Sequence, residues 1–263
     1  MNARILGVWM TIGLPALAGS VRSSAAETLA ERLLAENERI QTVRCEIRRE
    51  TDMSGRITTM LSRVWYRRPD RMRVVTEAPA PRRILVDGAV IYKWIEGQPE
   101  GVRLPLADAS AAELVQVRRV PGTAEEYLLR LRGLPETELP PTAEFPVRRG
   151  YEPPEPHPYT VLSADDLGRL ARVEFFDPAN RTNRLLRADF SGWKEVQPGC
   201  WIAVTHKTSV RGRDGTVAEE TLRVSGLAIN EPLDDTQFDV ARWAAGITFL
   251  SPDEMSARLR ERE

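Results

Sequence analysis

From Thr42 onward, long stretches of this sequence place apolar residues with a period of two, and that pattern constrains the fold more than any other feature. Val43, Cys45 and Ile47 alternate with Arg44, Glu46 and Arg48, the signature of a half-buried strand. Two other stretches go further. Arg56–Arg67 carries Ile57, Leu61 and Trp65 on one face and Met60, Val64 and Tyr66 on the other, while Val90, Tyr92 and Trp94 oppose Ile91 and Ile95. A strand that is apolar on both faces has to be covered on both. A plain sandwich core would do this. So would a curved sheet whose concave face lines an apolar cavity, with helices packed across it.

The punctuation between these stretches sets the connectivity. Asp52–Gly55 reads as a turn, and Arg71–Thr76 as the next strand. Asp87-Gly88 between Ile84-Leu85-Val86 and Val90–Ile95 predicts a hairpin, because that dipeptide tolerates the positive φ angles of a tight type I′ turn. A short strand near Val102 closes this half. Ser110–Glu113 and Thr123–Glu126 have capping-box spacing and predict two short helices in an insert over about 108–132. Residues 135–158 hold eight prolines and predict an extended loop with few ladder-forming residues. Strand periodicity resumes at Tyr159, with pairs around Leu170–Phe176 and Asn183–Phe190, then Trp201–Ser209 and Thr216–Val224 across a turn at Asp214-Gly215. Ser251-Pro252-Asp253-Glu254 predicts a final capped helix. The expected class is mainly β (α+β), with about ten antiparallel strands in a single domain over residues 27–263.

The N-terminus predicts export. Arg4 precedes a short apolar run from Ile5 to Ala18 that is interrupted by Pro15, and small residues offer cleavage after Ala18 or Ala26. Residues 1–26 are therefore expected to be a signal peptide, and the periplasm the destination. A helix should follow, with Ser24–Glu27 as its capping box and Leu29, Leu33 and Leu34 on its apolar stripe. Cys45 and Cys200 could pair in an oxidising compartment, and two buried free thiols are the alternative.

Charge and motif content narrow the function. The chain has 37 basic and 38 acidic residues; without Arg4 and Arg22 the balance is 35 against 38, or about −3. That argues against a nucleic-acid partner, which needs a basic imbalance. The two histidines, His157 and His206, lack partners at metal-ligand spacing, and no phosphate loop, HExxH or GxSxG elbow occurs. Asp165-Asp166 and Asp234-Asp235 sit in turn-like contexts. No enzyme, no metal and no cofactor is the expectation, and a monomer.

Two motifs resemble a known family. Arg68-Pro69-Asp70-Arg71-Met72-Arg73 after a long strand, and Ile84-Leu85-Val86-Asp87-Gly88 leading into Val90-Ile91-Tyr92, are similar to the Arg-Pro turn and the Asp-Gly hairpin of the LolA-like lipoprotein carriers. Asn230-Glu231-Pro232-Leu233 through Phe238 is similar to the family's closing segment. The stretch Trp193–Arg211 resembles its longer lipoprotein-sorting relatives. The resemblance implies an open, incomplete β-barrel under a helical lid. It implies a cavity holding the acyl chains of a lipoprotein or another lipid, an inner-membrane transporter as donor and an outer-membrane receptor as acceptor. Arg68 would latch the lid. Trp65, Met72, Val86, Ile91, Tyr92 and Trp94 would line the cavity, and Leu114, Val117, Tyr127, Leu128 and Leu131 would form the lid's inner face. An envelope sensor or scaffold binding a protein partner on the same fold is the alternative role.

Overall fold

A computed structural model describes residues 27–212 and 215–261. The expected signal peptide with its cuts after Ala18 and Ala26, the proposed cap at Ser24, and Asp214 of the expected turn lie outside the described residues. The first helix, α1 (Leu29–Glu38), takes its capping box from Thr28 and Glu31, four residues later than the sequence predicts. The Thr28 hydroxyl accepts from the Glu31 N–H at 3.2 Å and the Glu31 carboxylate accepts from the Thr28 N–H at 3.0 Å. Leu29, Ala30, Leu33 and Leu34 form its buried stripe.

The strands make one large curved sheet that does not close into a barrel. Six come from the first half: β1 (Thr42–Met53), β2 (Arg56–Arg67), β3 (Arg71–Ala78), β4 (Arg82–Asp87), β5 (Val90–Ile95) and β6 (Glu100–Pro105). The crossing segment holds α2 (Ala111–Arg118), α3 (Glu125–Leu128) and a 3₁₀ turn at Leu129–Leu131. Then come β7 (Glu136–Glu138), β8 (Val147–Tyr151), β9 (Tyr159–Ala164), β10 (Leu170–Phe176), β11 (Arg184–Gln197), β12 (Cys200–Arg211) and β13 (Val217–Ile229). A 3₁₀ turn (Asp235–Phe238), α4 (Val240–Trp243), β14 (Thr248–Leu250) and α5 (Pro252–Arg260) end the chain. The spatial order is β14-β6-β5-β4-β3-β2-β1-β13-β12-β11-β10-β9-β8-β7. Two meanders are joined where β1 pairs antiparallel with β13.

Three expectations differ from this. The proline-rich stretch carries two strands, because its prolines flank β7 and β8 instead of interrupting them. It is also tied down: the Tyr151 hydroxyl donates to Glu136 at 2.6 Å and accepts from the Ala30 N–H at 3.1 Å, and Glu136 accepts from the Leu29 N–H at 2.7 Å. The sheet has fourteen described strands where about ten were expected, and β14 runs parallel to β6. The second capping box of the insert does not form. Ala124 precedes α3 without a side-chain cap, and Glu126 pairs with Arg119 instead.

Helices α1–α3 lie on one face of the sheet, here called inner. Two apolar clusters fill it. One gathers α1 and α3 on β8–β12, and the other gathers α2 on β1–β5, β12 and β13. The chain's last segment covers the outer face of β3–β5 and the Trp65 end of β2, which accounts for the apolar residues on both sides of β5. On β2 the expectation of full cover fails, since Ile57 and Leu61 on that face stay exposed, at 69% and 41%. Phe249 of β14 meets Tyr92 and Trp94 edge-on, at ring-centroid distances of 4.9 and 5.8 Å. Gly101 of β6 makes room for that ring, since a Cβ there would lie 2.8 Å from Phe249 Cε1 and 2.9 Å from the Lys93 carbonyl oxygen. Gly101→Ala is therefore expected to cost about 1–3 kcal/mol in chemical denaturation, the usual range for overpacking. No loss of stability would mean that β14 does not hold this seat.

Candidate functional site

Arg68 follows β2 at its turn into β3 and points into the seam between α1 and the crossing helices. Its Nε donates to the Ile40 carbonyl at 2.9 Å, and its Nη2 to the Asn37 carbonyl at 3.2 Å and to Glu125 Oε1 at 2.8 Å. One planar guanidinium thus satisfies carbonyls at the C-terminal end of α1 and ties that end to α3. The Glu125 carboxylate, 4% exposed as a side chain, also accepts from the Val120 N–H. Nearby, the buried Tyr66 hydroxyl donates to the Arg118 carbonyl at the end of α2. Both crossing helices are therefore fastened at their ends to the strand–turn unit around Arg68.

Beneath them lies a cavity of about 590 Å³. Its floor comes from both meanders: Ile47, Val64, Met72, Val74 and Ile84 from β1–β4, with Phe190 and Leu222 from β11 and β13. Tyr127 of α3 closes it from above, edge-on to Phe175 and Phe190. The remaining wall is cationic, with Arg49, Arg82, Arg83, Lys93 and Arg119 against Glu126 and Glu220. Several are internally paired, Arg49 with Glu220 at 3.4 Å, Lys93 with Glu113 at 3.3 Å, and Arg119 with Glu126. Such a space suits a ligand with an apolar body and a polar end. A narrow void of about 40 Å³ shares Phe190 and His206 with it.

The sequence-predicted residues separate by strand register. Val64↔Val74↔Ile84↔Lys93 puts these residues on the inner face, and Trp65↔Arg73↔Leu85↔Tyr92 puts those on the outer face. Met72 and Trp94 touch the cavity, Trp94 at its rim. Val86 and Ile91 face inward but are wholly buried in the core, at 0% and 1% exposure. Trp65 and Tyr92 are placed on the outer face, against Arg73 and Phe249 respectively, because strand period alone does not say which face the helices cover. Of the crossing-helix residues, Val117 is buried in the cluster under α2, and Leu114 packs against it. Leu128 and Leu131 are buried with α1. Cys45 and Cys200 are buried free thiols, and burial pushes the Cys45 thiol up to about 12.

Missed residues include Ile47, Val64, Val74 and Ile84, whose shared parity with Met72 was visible. Phe190, His206 and Leu222 gave no such signal, since their place depends on the β1–β13 pairing. His206 is buried at the cavity wall, with Nε2 3.1 Å from the Ala203 carbonyl and its ring edge-on to Phe190. Burial above all, with Arg119 and Arg49 adding repulsion, lowers its pKa from 6.5 to about 4. Above pH 6.5 the ring is neutral in folded and unfolded chains alike. As pH falls below that value the unfolded chain takes up a proton that the folded protein accepts only near pH 4, so stability declines across this window. The expected loss is about 2 kcal/mol on going to about pH 5. His206→Phe should remove it in denaturation curves at the two pH values; an unchanged slope would assign the effect elsewhere.

Among the described residues there is no group of three His, Cys, Asp or Glu side chains placed to hold a metal ion, and no helix long and apolar enough to cross a membrane. The sequence matches no protein-family model and no curated protein. Its structure does have relatives. A LolA superfamily protein from Nitrosomonas europaea superposes with a TM-score of 0.52 at 13% identity, over 80% of this chain and 97% of that one. A putative outer membrane lipoprotein-sorting protein domain from Vibrio parahaemolyticus gives 0.53 at 15% identity, over 80% and 94%. A DUF1329 family protein from Desulfovibrio piger gives 0.51 at 12% identity, again over 80% and 94%. With an unclosed curved sheet, helices across its inner face and a cavity between them, the chain has a LolA-like fold.

Proposed function

We propose that this protein is a periplasmic carrier that holds the acyl chains of a lipoprotein, or of another lipid, in the inner-face cavity and delivers them toward the outer membrane. The observation that carries this reading is the cavity itself: about 590 Å³, apolar at its floor and charged at its rim. That volume falls within the ~300–1,000 Å³ of ordinary small-ligand sites. Each buried methylene contributes about 0.8 kcal/mol, so ten of them give about 8 kcal/mol, a micromolar-scale affinity. The LolA-like fold supports the carrier class, and an inner-membrane transporter and an outer-membrane receptor are the partners it implies. Arg68 serves as the latch between α1 and α3. Leu114, Val117, Tyr127, Leu128 and Leu131 form the lid face that parts when cargo enters.

Native mass spectrometry of the mature protein from a periplasmic extract tests this. Copurified lipid or acylated peptide is the expected result. A mass that stays free of ligand after incubation with lipid and with lipoprotein would reject the carrier and favour a scaffold that binds protein.

A further inference from the structure

We propose a second site, on the outer face of the sheet, that takes an oxyanion (phosphate or carboxylate) carried by a ligand with an apolar portion. It lies on the opposite face of β2–β5 from the floor of the carrier cavity, with Arg83 and Trp94 at the margin lining both spaces, and does not depend on the carrier reading. Its centre is Arg73. The guanidinium is sandwiched between two indoles, with its carbon 3.8 Å from the Trp65 ring centroid and 3.6 Å from that of Trp243. The residue is only 5% exposed, yet its Nε and Nη1 have no hydrogen-bond acceptor among the described residues. Arg73 borders a cavity of about 360 Å³, which Val75 and Trp94 also line.

The charge around it is lopsided. Arg63 and Arg83 line the same cavity and Arg242 lies over the Trp243 ring, while the facing acids are Glu96, bound to Arg83, and Glu77, bound to Arg63. Arg73 has no carboxylate ion-pair partner among the described residues, and Arg242 interacts electrostatically with Asp234. Burial first, and repulsion from Arg63, Arg242 and Arg83 next, lower the Arg73 pKa to about 10. A fold that needed only apolar packing here would place an aliphatic side chain between the two indoles. Burying an unpaired cation is costly, and an incoming oxyanion removes that cost. A guanidinium is suited to phosphate and carboxylate, and three indoles and a valine supply a surface for the ligand's apolar part. Trp243 is partly exposed and belongs to the covering segment, so it can admit a ligand without disturbing the sheet.

Calorimetric titration of the full mature chain with hexyl phosphate, hexyl glucoside and inorganic phosphate tests the site. Hexyl phosphate should bind at least about tenfold more tightly than hexyl glucoside, a difference of about 1.4 kcal/mol. Arg73→Met and Trp243→Leu should each abolish that preference. Competition by inorganic phosphate would identify the free anion as a sufficient ligand; lack of competition would identify the amphiphile. Arg73→Met should melt no lower than the parent, because it removes a buried cation that lacks an acceptor. Equal binding of the two hexyl compounds, or a phosphate preference that survives Arg73→Met, would overturn the proposal. So would a melting temperature about 5 °C lower in that variant, which would assign Arg73 to the fold alone.

Discussion

Replacing Arg68 with leucine should destabilise the protein by about 3 kcal/mol, the low end of the cost of removing one partner from a buried pair. The loss has two parts. The carbonyls of Asn37 and Ile40 lose a donor, and the Glu125 carboxylate keeps only the Val120 N–H at 4% side-chain exposure. For a chain of this size the melting temperature should drop by about 6–12 °C. Replacing both partners is gentler, since it leaves no isolated charge, so Arg68→Leu/Glu125→Leu should recover a large share of the loss. The difference, measured as a double-mutant cycle, is the strength of the latch. Hydrogen exchange supplies the mechanical test. Amides of α2 and α3 should exchange faster in Arg68→Leu than in the parent, while those of β9–β11 should not. A cost under about 1 kcal/mol with unchanged exchange would reduce Arg68 to a surface turn cap.

The second large effect separates the two faces of one hairpin. Ile84 lines the inner cavity, whereas Tyr92, on the neighbouring strand, lies on the outer face under Phe249. Ile84→Asp places a carboxylate where an acyl chain would have to desolvate it. The penalty of several kcal/mol implies at least about a 100-fold loss of affinity. Tyr92→Asp should leave acyl binding intact while loosening the C-terminal cover. Native mass spectrometry reads both outcomes. Equal loss of cargo in the two variants would mean that unfolding, and not the cavity, decides the result. Retention in both would place the cargo elsewhere.

That contrast also marks where sequence reading stopped. The class, the strand limits of β2 and β5, the Asp87-Gly88 hairpin and the Ser110 and Ser251 caps were all legible, because each rests on neighbours within a few residues. The hairpin forms, but not through the expected type I′ turn, which needs positive φ at both central residues. Gly88 has φ +109° while Asp87 and Ala89 do not, and the Asp87 carboxylate accepts from the N–H groups of Ala89 and Val90. The face of each strand was not legible. Trp65 and Tyr92 are large and apolar, and before the C-terminal segment is placed nothing distinguishes a residue that meets Phe249 from one that meets cargo. Placing that segment requires the parallel β14–β6 contact, which spans about 150 residues of sequence and leaves no local trace. β7 and β8 were hidden for a different reason, as short strands set among prolines.

How the sheet ends decides how the protein meets neighbouring molecules. An open sheet, unlike a barrel, keeps a row of backbone donors and acceptors at each margin, and such a row can recruit another chain. Here each margin is finished by a strand of only three residues, β7 at one end and β14 at the other. Pro140 and Pro141 come soon after β7, behind Leu139, and α5 succeeds β14. An arriving strand therefore gains few backbone bonds before it meets a proline pair or a helix. Stripped of β14, the protein would present β6, twice as long, as a fresh template for self-association. The short tail strand thus doubles as an insulator, letting the sheet stay open without becoming a seed for fibres.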